Sequence, residues 1–218
     1  MKLSFGKLLQ SLAGVLLLSS ATLSMAASYD YDFDGDENER GGQPLNFGDL
    51  NVYGYKNGQA ANAYLDSGNL AGLGVCGTLS SNATTGTGNK CNPSNDDNLQ
   101  ADEVLKFVFD AQKGIANVGI NGPHTSANGQ SVRIWTDTQG WDLLQVVSDK
   151  ITLGFYLTTL KIFGTTTGWA AEKWGRGTTS EIYVAGINEV PIPAAAWLFG
   201  SALLGLGGLR RRRKMAAA

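Results

Sequence analysis

Alternating carboxylates at Asp30, Asp32 and Asp34 form the sharpest chemical pattern of this chain, and Asn38 occupies the ninth position of the pattern. Carboxylates at every second residue can converge on a hard cation, and the glycine at the sixth position permits the turn that brings the ninth side chain back. An EF-hand loop has a bidentate acid at the twelfth position, where this chain has Gly41. The segment is therefore a candidate calcium site that uses these four side chains, and the alternative is an acidic, solvated segment.

A pair of tryptophans, Trp169 and Trp174, lies beside glycines in a stretch too polar to be core throughout. Exposed indole rings suit the apolar faces of sugar rings, because they combine a large area with a quadrupole that attracts C–H groups. Both residues are therefore candidate sugar-binding residues. The alternative is that the tryptophans fill the core, and the alternation around Trp135 leaves this open for that residue.

Catalytic patterns are weaker. The only histidine is His124, which lies in a loop, where a lone histidine is usually just exposed, so we expect it to be no general base. Multi-histidine zinc sites are excluded. A glycosidase with two carboxylates is compatible with the 19 acidic residues, although no pair stands out in the sequence. We expect a non-enzymatic protein, with a hydrolase as an alternative.

Cys76 and Cys91 are the only cysteines, and the segment between them is rich in Ser, Thr, Asn and Gly. Neither a Cys-x-x-Cys spacing nor a nearby histidine indicates a metal or redox role. In an oxidising compartment the two thiols are expected to form a disulfide, which would contribute about 3 kcal/mol by closing a short loop.

The elements that position these residues are predicted to be strands. Runs with period-two alternation are separated by turn signals such as Asn57-Gly58 and Asn128-Gly129, and they occur at residues 50–52, 104–109, 132–135, 151–155 and 182–185. No window outside the termini has convincing helical periodicity. The pattern predicts an all-β domain over residues 44–189, an antiparallel β-sandwich of the jelly-roll type, preceded by an acidic segment at 27–43.

Both termini carry targeting features. Lys2 and Lys7 precede an apolar core at residues 8–18, and small residues near Ala26 suit signal peptidase, so residues 1–26 are predicted to be a signal peptide. Residues 190–209 are 20 uncharged residues, long enough to cross ~30 Å of hydrocarbon as a helix. The basic cluster that follows would keep the C-terminus in the cytoplasm, and it consists of Arg210, Arg211, Arg212, Arg213 and Lys214.

Charge is distributed unevenly along the chain. All 19 acidic residues lie between Asp30 and Glu189, whereas seven of the 17 basic residues lie in the two targeting segments. The exported part therefore has ten basic residues against 19 acidic ones and a net charge of −9. Because such a domain repels phosphate backbones, we expect no nucleic acid among its partners.

The C-terminal tail at 190–218 resembles the PEP-CTERM sorting signal of bacterial envelope proteins, in the variant that begins with Val190, Pro191, Ile192 and Pro193 and continues Ala-Ala-Ala-Trp-Leu-Phe-Gly-Ser. The resemblance implies recognition by an exosortase, a membrane protease-transpeptidase, and sorting of an inner-membrane-anchored precursor to the cell surface or the extracellular matrix. Looser motifs are similar to the single β-sandwich domain of many such proteins, and they lie at 63–68, 72–75, 97–98, 104–109 and 131–135.

We therefore expect an exported, exosortase-sorted protein with a structural or adhesive role. The resemblance carries over no catalytic residue. A carbohydrate-binding module for exopolysaccharide and a surface hydrolase are the alternatives.

Overall fold

A computed structural model describes residues 29–34, 39–80, 90–93, 97–164 and 181–190. The predicted signal peptide, most of the predicted sorting signal with the transmembrane helix expected there, and Asn38, Trp169 and Trp174 lie outside these residues. The described part of the chain forms strands and contains no helix, which confirms the all-β prediction. The same residues accordingly include no helix that is long and apolar enough to cross a membrane.

Twelve strands are formed by the described residues. They are β1 (Tyr31–Asp32), β2 (Arg40–Gly42), β3 (Leu45–Phe47), β4 (Leu50–Lys56), β5 (Gln59–Leu65), β6 (Leu73–Cys76), β7 (Glu103–Gly122), β8 (Thr125–Ser126), β9 (Ser131–Thr136), β10 (Gly140–Gln145), β11 (Lys150–Phe163) and β12 (Tyr183–Glu189). Neighbouring strands pair antiparallel throughout.

Five of these strands close a barrel, in the order β4, β5, β6, β12 and β7. Closure is possible because β7 is 20 residues long and changes partner along its length: residues 103–109 pair with β4, and residues 115–121 pair with β12. The sheet therefore differs from the two-sheet sandwich expected from the sequence. On the other side of β7, strands β11, β9 and β10 extend the sheet beyond the barrel.

The core follows the alternation that the sequence predicts. In β7, Leu105 and Phe107 are fully buried, whereas the residues that precede them, Val104 and Lys106, are only partly buried. Residues of β4, β9 and β11 alternate in the same way, since successive side chains of a strand point to opposite faces. In these four strands one face therefore packs into the core, and the other is partly available to solvent.

The final strand departs from this rule. The alternation at residues 182–185 predicts that one face of this strand is exposed to solvent, yet Tyr183 and Ala185 are at most 2% exposed. The hydroxyl of Tyr183 contacts the carboxyl groups of Asp66 and Asp97, and the N–H of Phe33 donates to the carbonyl of Ala185 at 2.9 Å. Segments distant in sequence therefore cover the second face of β12.

Part of the acidic segment at 27–43 belongs to the sheet. Strand β1 pairs with β12, and Phe33 is fully buried in the core. The ring of Tyr29 lies directly on Gly119 and Gly186, where a Cβ atom would come within 2.2 Å of it. Glycine is required at both positions so that Tyr29 can pack against the barrel.

The disulfide between Cys76 and Cys91 is present, as predicted, with 5.7 Å between the two Cα atoms. It joins the end of β6 to a short bridge between Leu79 and Cys91, and the buried ring of Tyr64 packs against it. The bond therefore closes a loop of 15 residues at the edge of the core.

We predict that replacing Cys76 and Cys91 together with serine lowers the free energy of unfolding by about 3 kcal/mol, because the open chain regains loop entropy in the unfolded state. Urea unfolding of the variant and the wild type would measure the difference. Reduction of the wild type should reproduce the loss, and a variant as stable as the oxidised protein would show that the bond has no stabilising role.

Candidate binding face

A row of aromatic and cationic side chains crosses five neighbouring strands on the outside of the sheet. From β4 to β10, Tyr53 is opposite Lys106, Lys106 is opposite Lys161, Lys161 is opposite Trp135, and Trp135 is opposite Trp141. With about 4.8 Å between adjacent strands, the row is about 19 Å long. We call this row and the groove beside it the aromatic-cationic face.

The cations of the row lie over aromatic rings. The ammonium nitrogen of Lys106 is 5.6 Å from the ring centroid of Tyr53, and that of Lys161 is 4.5 Å from the ring of Trp135. Both distances are within the range in which the ring quadrupole attracts a cation. The rings therefore help to fix the positions of the two ammonium groups on the surface.

A groove of about 470 Å³ lies beside the row. It is lined by Tyr55, Gly58, Val104, Lys106, Arg133, Trp141, Lys161 and Phe163. The guanidinium of Arg133 is 4.8 Å from the ring centroid of Trp141, and the rings of Trp141 and Phe163 are also 4.8 Å apart. Trp141 remains 43% exposed, so its indole is accessible to a ligand.

In these strands, packing in the core restricts the identity of the buried residues, whereas the residues of the outer face can vary. On β9, Val132 and Ile134 are buried, which forces Arg133 and Trp135 onto the outer face. Adjacent strands repeat this geometry in register, and the outer residues of five strands become neighbours. The face therefore follows from strand register, which no local sequence pattern specifies.

Positive charge is concentrated on this face. Lys106, Lys161 and Arg133 are three of the ten basic residues of the segment 27–189, which carries a net charge of −9. No carboxyl group is among the described residues that line the groove. An acidic domain thus presents a locally cationic surface.

The predicted sugar-binding pair, Trp169 and Trp174, lies outside the described residues and stays a prediction. Sequence reasoning left the position of Trp135 open, and the structure puts it on the outer face beside Trp141. The alternation of β9 was the signal that could have separated Trp135 from the core residues. No comparable sequence pattern indicated that lysines from β7 and β11 would lie in the same row as Trp135.

The aspartates of the predicted calcium site have separate hydrogen-bond partners. Asp30 accepts the N–H of Glu189 at 2.7 Å, and Asp32 accepts that of Asp34 at 3.2 Å. Burial raises the pKa of Asp34, and a hydrogen bond from Asn121 opposes part of that rise. In the parts of the chain that the structure describes, no three metal-binding side chains are grouped. Because the fourth ligand, Asn38, lies outside them, calcium binding stays a prediction.

A cluster of polar side chains lies beneath a second groove, which has a volume of about 460 Å³. The hydroxyl of Tyr183 is 3.0 Å from a carboxyl oxygen of Asp66 and 2.9 Å from one of Asp97. The ring of His124 adds a contact of 3.6 Å to Asp66. Tyr183 is 1% exposed and Asp66 is 6% exposed, so these two side chains are removed from bulk water, whereas Asp97 is partly buried and His124 is exposed.

One hydroxyl hydrogen cannot satisfy two carboxylates. Tyr183 donates to one of them, and the second contact becomes a hydrogen bond only when a proton resides on a carboxyl group. Burial raises the pKa of both Asp66 and Asp97, and the hydrogen bond from Tyr183 opposes part of that rise. Burial also raises the pKa of Tyr183, so its hydroxyl keeps its hydrogen.

The pair is poorly arranged for glycoside hydrolysis. A glycosidase holds two carboxyl groups on either side of a scissile bond, with space between them for the substrate or for water. Here the hydroxyl of Tyr183 already contacts both groups. The cluster therefore has the geometry of an internal hydrogen-bond network.

No protein-family model matches the sequence, and no curated protein is detectably similar to it. The functional interpretation therefore depends on the residues of the chain and on the geometry of the aromatic-cationic face. The likeness of the tail to a sorting signal remains a resemblance.

We predict that Asp97→Asn stabilises the protein at neutral pH. The amide can donate to the oxygen of Tyr183 while the hydroxyl donates to Asp66, so every group is satisfied without a shared proton. The raised folded-state pKa of Asp97 means that the wild type loses stability as pH rises from about 3.8 through that pKa.

The advantage of Asp97→Asn should therefore shrink on acidification, which thermal unfolding at a series of pH values would measure. Asp142→Asn, at an exposed position of β10, is the control for removal of one negative charge. Equal pH dependence in the two variants and the wild type would contradict proton sharing at Tyr183.

Proposed function

We propose that this chain is an exported, exosortase-sorted protein of the cell surface or extracellular matrix, with a non-catalytic, adhesive role. In this proposal the aromatic-cationic face binds polysaccharide, which combines the adhesive role with the carbohydrate-binding alternative. The single observation that supports polysaccharide binding is the row from Tyr53 to Trp141 across five strands.

A sheet face suits an extended polymer because the backbone hydrogen bonds of five strands hold its side chains in place. The row is about 19 Å long, which gives room for several sugar rings. Trp141 supplies an exposed indole for stacking, and the neighbouring cations and Tyr55 supply polar contacts to hydroxyl groups. Little side-chain ordering is then required on binding, which favours affinity.

The composition of the groove favours binding over hydrolysis. General acid catalysis at a glycosidic oxygen requires a protonatable group near the scissile bond. The described lining residues carry cationic, aromatic and aliphatic side chains and no carboxyl group. A ligand would therefore be held at this face without a group to cleave it.

The position of the tail relative to the barrel is consistent with sorting. Strand β12 ends at Glu189, and the N–H of the next residue, Val190, donates to the carbonyl of Gly114 at 2.7 Å. The motif Val190, Pro191, Ile192, Pro193 thus begins where the barrel ends. An enzyme that recognises the motif would act on a segment directly after a completed domain.

The exported topology depends on the two targeting segments. In this proposal residues 1–26 are removed as a signal peptide, and residues 190–209 anchor the precursor in the inner membrane with the basic cluster in the cytoplasm. The partners are then an exosortase, the membrane and a polysaccharide of the cell envelope.

We predict that replacing Pro191 and Pro193 with alanine blocks processing and preserves membrane insertion, because the apolar span and the basic cluster stay intact. The length of the surface form, measured by mass spectrometry of the intact protein, would report cleavage. A variant of Arg210 and Arg211 with lysine at both positions keeps the charge and serves as the control. Identical processing of the proline variant and the wild type would contradict recognition of the motif.

We predict that Trp141→Ala weakens polysaccharide binding roughly 2- to 12-fold, as expected when an aromatic stacking contact worth about 0.5–1.5 kcal/mol is lost. Titration calorimetry with a polyuronate and with a neutral glucan would measure the change for whichever polymer the wild type binds. Tyr156→Ala is the matched control, since Tyr156 is 61% exposed on another part of β11. Equal losses in both variants would contradict a specific role for this face.

A further inference from the structure

We infer that the aromatic-cationic face binds a polysaccharide that carries carboxylate groups, a polyuronate. This inference rests on the proposed polysaccharide-binding function and specifies the class of its ligand. It is carried by two lysines that lie opposite each other on adjacent strands, next to an arginine and an exposed indole.

Lys106 and Lys161 are direct cross-strand partners on one face of the sheet. Side chains in such positions have Cβ atoms about 4.5–5.5 Å apart, and like charges there are destabilising. No salt bridge joins either lysine to another described residue. The ammonium group of Lys106 contacts the ring of Tyr53, and that of Lys161 contacts the ring of Trp135. An anion bound between the two ammonium groups would remove the repulsion.

Two lysines elsewhere in the domain, Lys56 and Lys113, have carboxylate partners. Lys113 lies 2.8 Å from Asp49 and 2.7 Å from Glu189, and Lys56 lies 2.9 Å from the buried carboxyl group of Glu103. Although the domain is rich in acidic residues, none of the described ones lines the groove beside Lys106 and Lys161. The face therefore offers positive charge to an external partner.

The aromatic and cationic groups have distinct functions in this arrangement. The ring of Trp135 is occupied on one side by Lys161. The ring of Trp141 contacts Arg133 and Phe163 and is still 43% exposed, so part of the indole can meet a sugar ring. Arg133, in contact with Trp141, has a planar guanidinium that fits a carboxylate in bidentate fashion. A sugar ring on the indole would place its carboxylate near Arg133 and the two lysines.

A polyuronate matches this spacing better than a nucleic acid does. It carries one carboxylate on each sugar ring, so that ring contacts and charge contacts both recur along the polymer, and the face offers aromatic side chains at both ends of the row with two lysines between them. Nucleic acid has a denser line of phosphates, about one charge per 1.7 Å of duplex axis. The net charge of −9 of the exported part opposes its approach.

The test compares one oligosaccharide in two forms, using the full chain in mild detergent. An oligouronate and the same oligosaccharide after reduction of its carboxyl groups to alcohols differ only in one group on each ring, a carboxylate in the first and a neutral hydroxymethyl group in the second. We expect calorimetry to show binding of the oligouronate that weakens on carboxyl reduction and on addition of salt, because ion pairs at an exposed site are screened.

The variants Lys106→Met and Lys161→Met retain most of the apolar stem of the side chain. Each should weaken oligouronate binding by roughly 2- to 5-fold, the range for a partly exposed charge pair, with no effect on the carboxyl-reduced form. Lys150→Met is the matched control, because it removes the same charge at the other end of β11. Unfolding midpoints of all three variants would verify that they fold.

Each other outcome overturns the inference in a recognisable way. Equal binding of the two oligosaccharide forms, lost in Trp141→Ala, would overturn the carboxylate assignment and preserve the proposed function. Absence of binding to either form would overturn both. Tighter binding of a sulfated polysaccharide or of single-stranded DNA, weakened by Lys106→Met, would assign the face to a different anion.

Discussion

The pairing of β7 is the constraint on which the rest of the structure depends. Its first half pairs with β4 and its second half with β12, so a single strand closes the barrel and completes the backbone hydrogen bonds of both neighbours. Its other edge pairs with β11, which in turn presents its last residues to β9. A barrel without unpaired edges resists unwanted strand addition, and the rigid extension beyond it supports the aromatic-cationic face.

Much of the fold could be predicted from the sequence because its signals are local. Period-two alternation around Leu105 identified the longest strand, and Asn57-Gly58 forms the two-residue hairpin turn it predicts, with positive φ at both residues. Closure of the barrel could not be predicted, because nothing local indicates that β7 changes partner midway. The same limit applies to the site: Lys106 and Lys161 are 55 positions apart in sequence, and only the register makes them neighbours.

Two pairs of like charges in this domain are stabilised by different means, and burial explains the difference. Asp66 and Asp97 are brought together at the buried hydroxyl of Tyr183, where raised pKa values allow a proton to be shared. Lys106 and Lys161 lie on the outer face, where water and the ring of Trp135 lower the cost of their repulsion. The inner pair therefore depends on a shared proton within the fold, and the outer pair is suited to a ligand.

The aromatic-cationic face and the start of the tail use different parts of β7. The face includes Val104 and Lys106, whereas Val190 is hydrogen-bonded at Gly114. Eight residues of extended strand separate Lys106 from Gly114, which corresponds to at most about 26 Å. In the proposed function, attachment through the tail would thus hold the domain at a point on β7 that is distinct from the groove. The proposed adhesive role requires such a separation, since a polymer bound at the face must not compete with a link made through the tail.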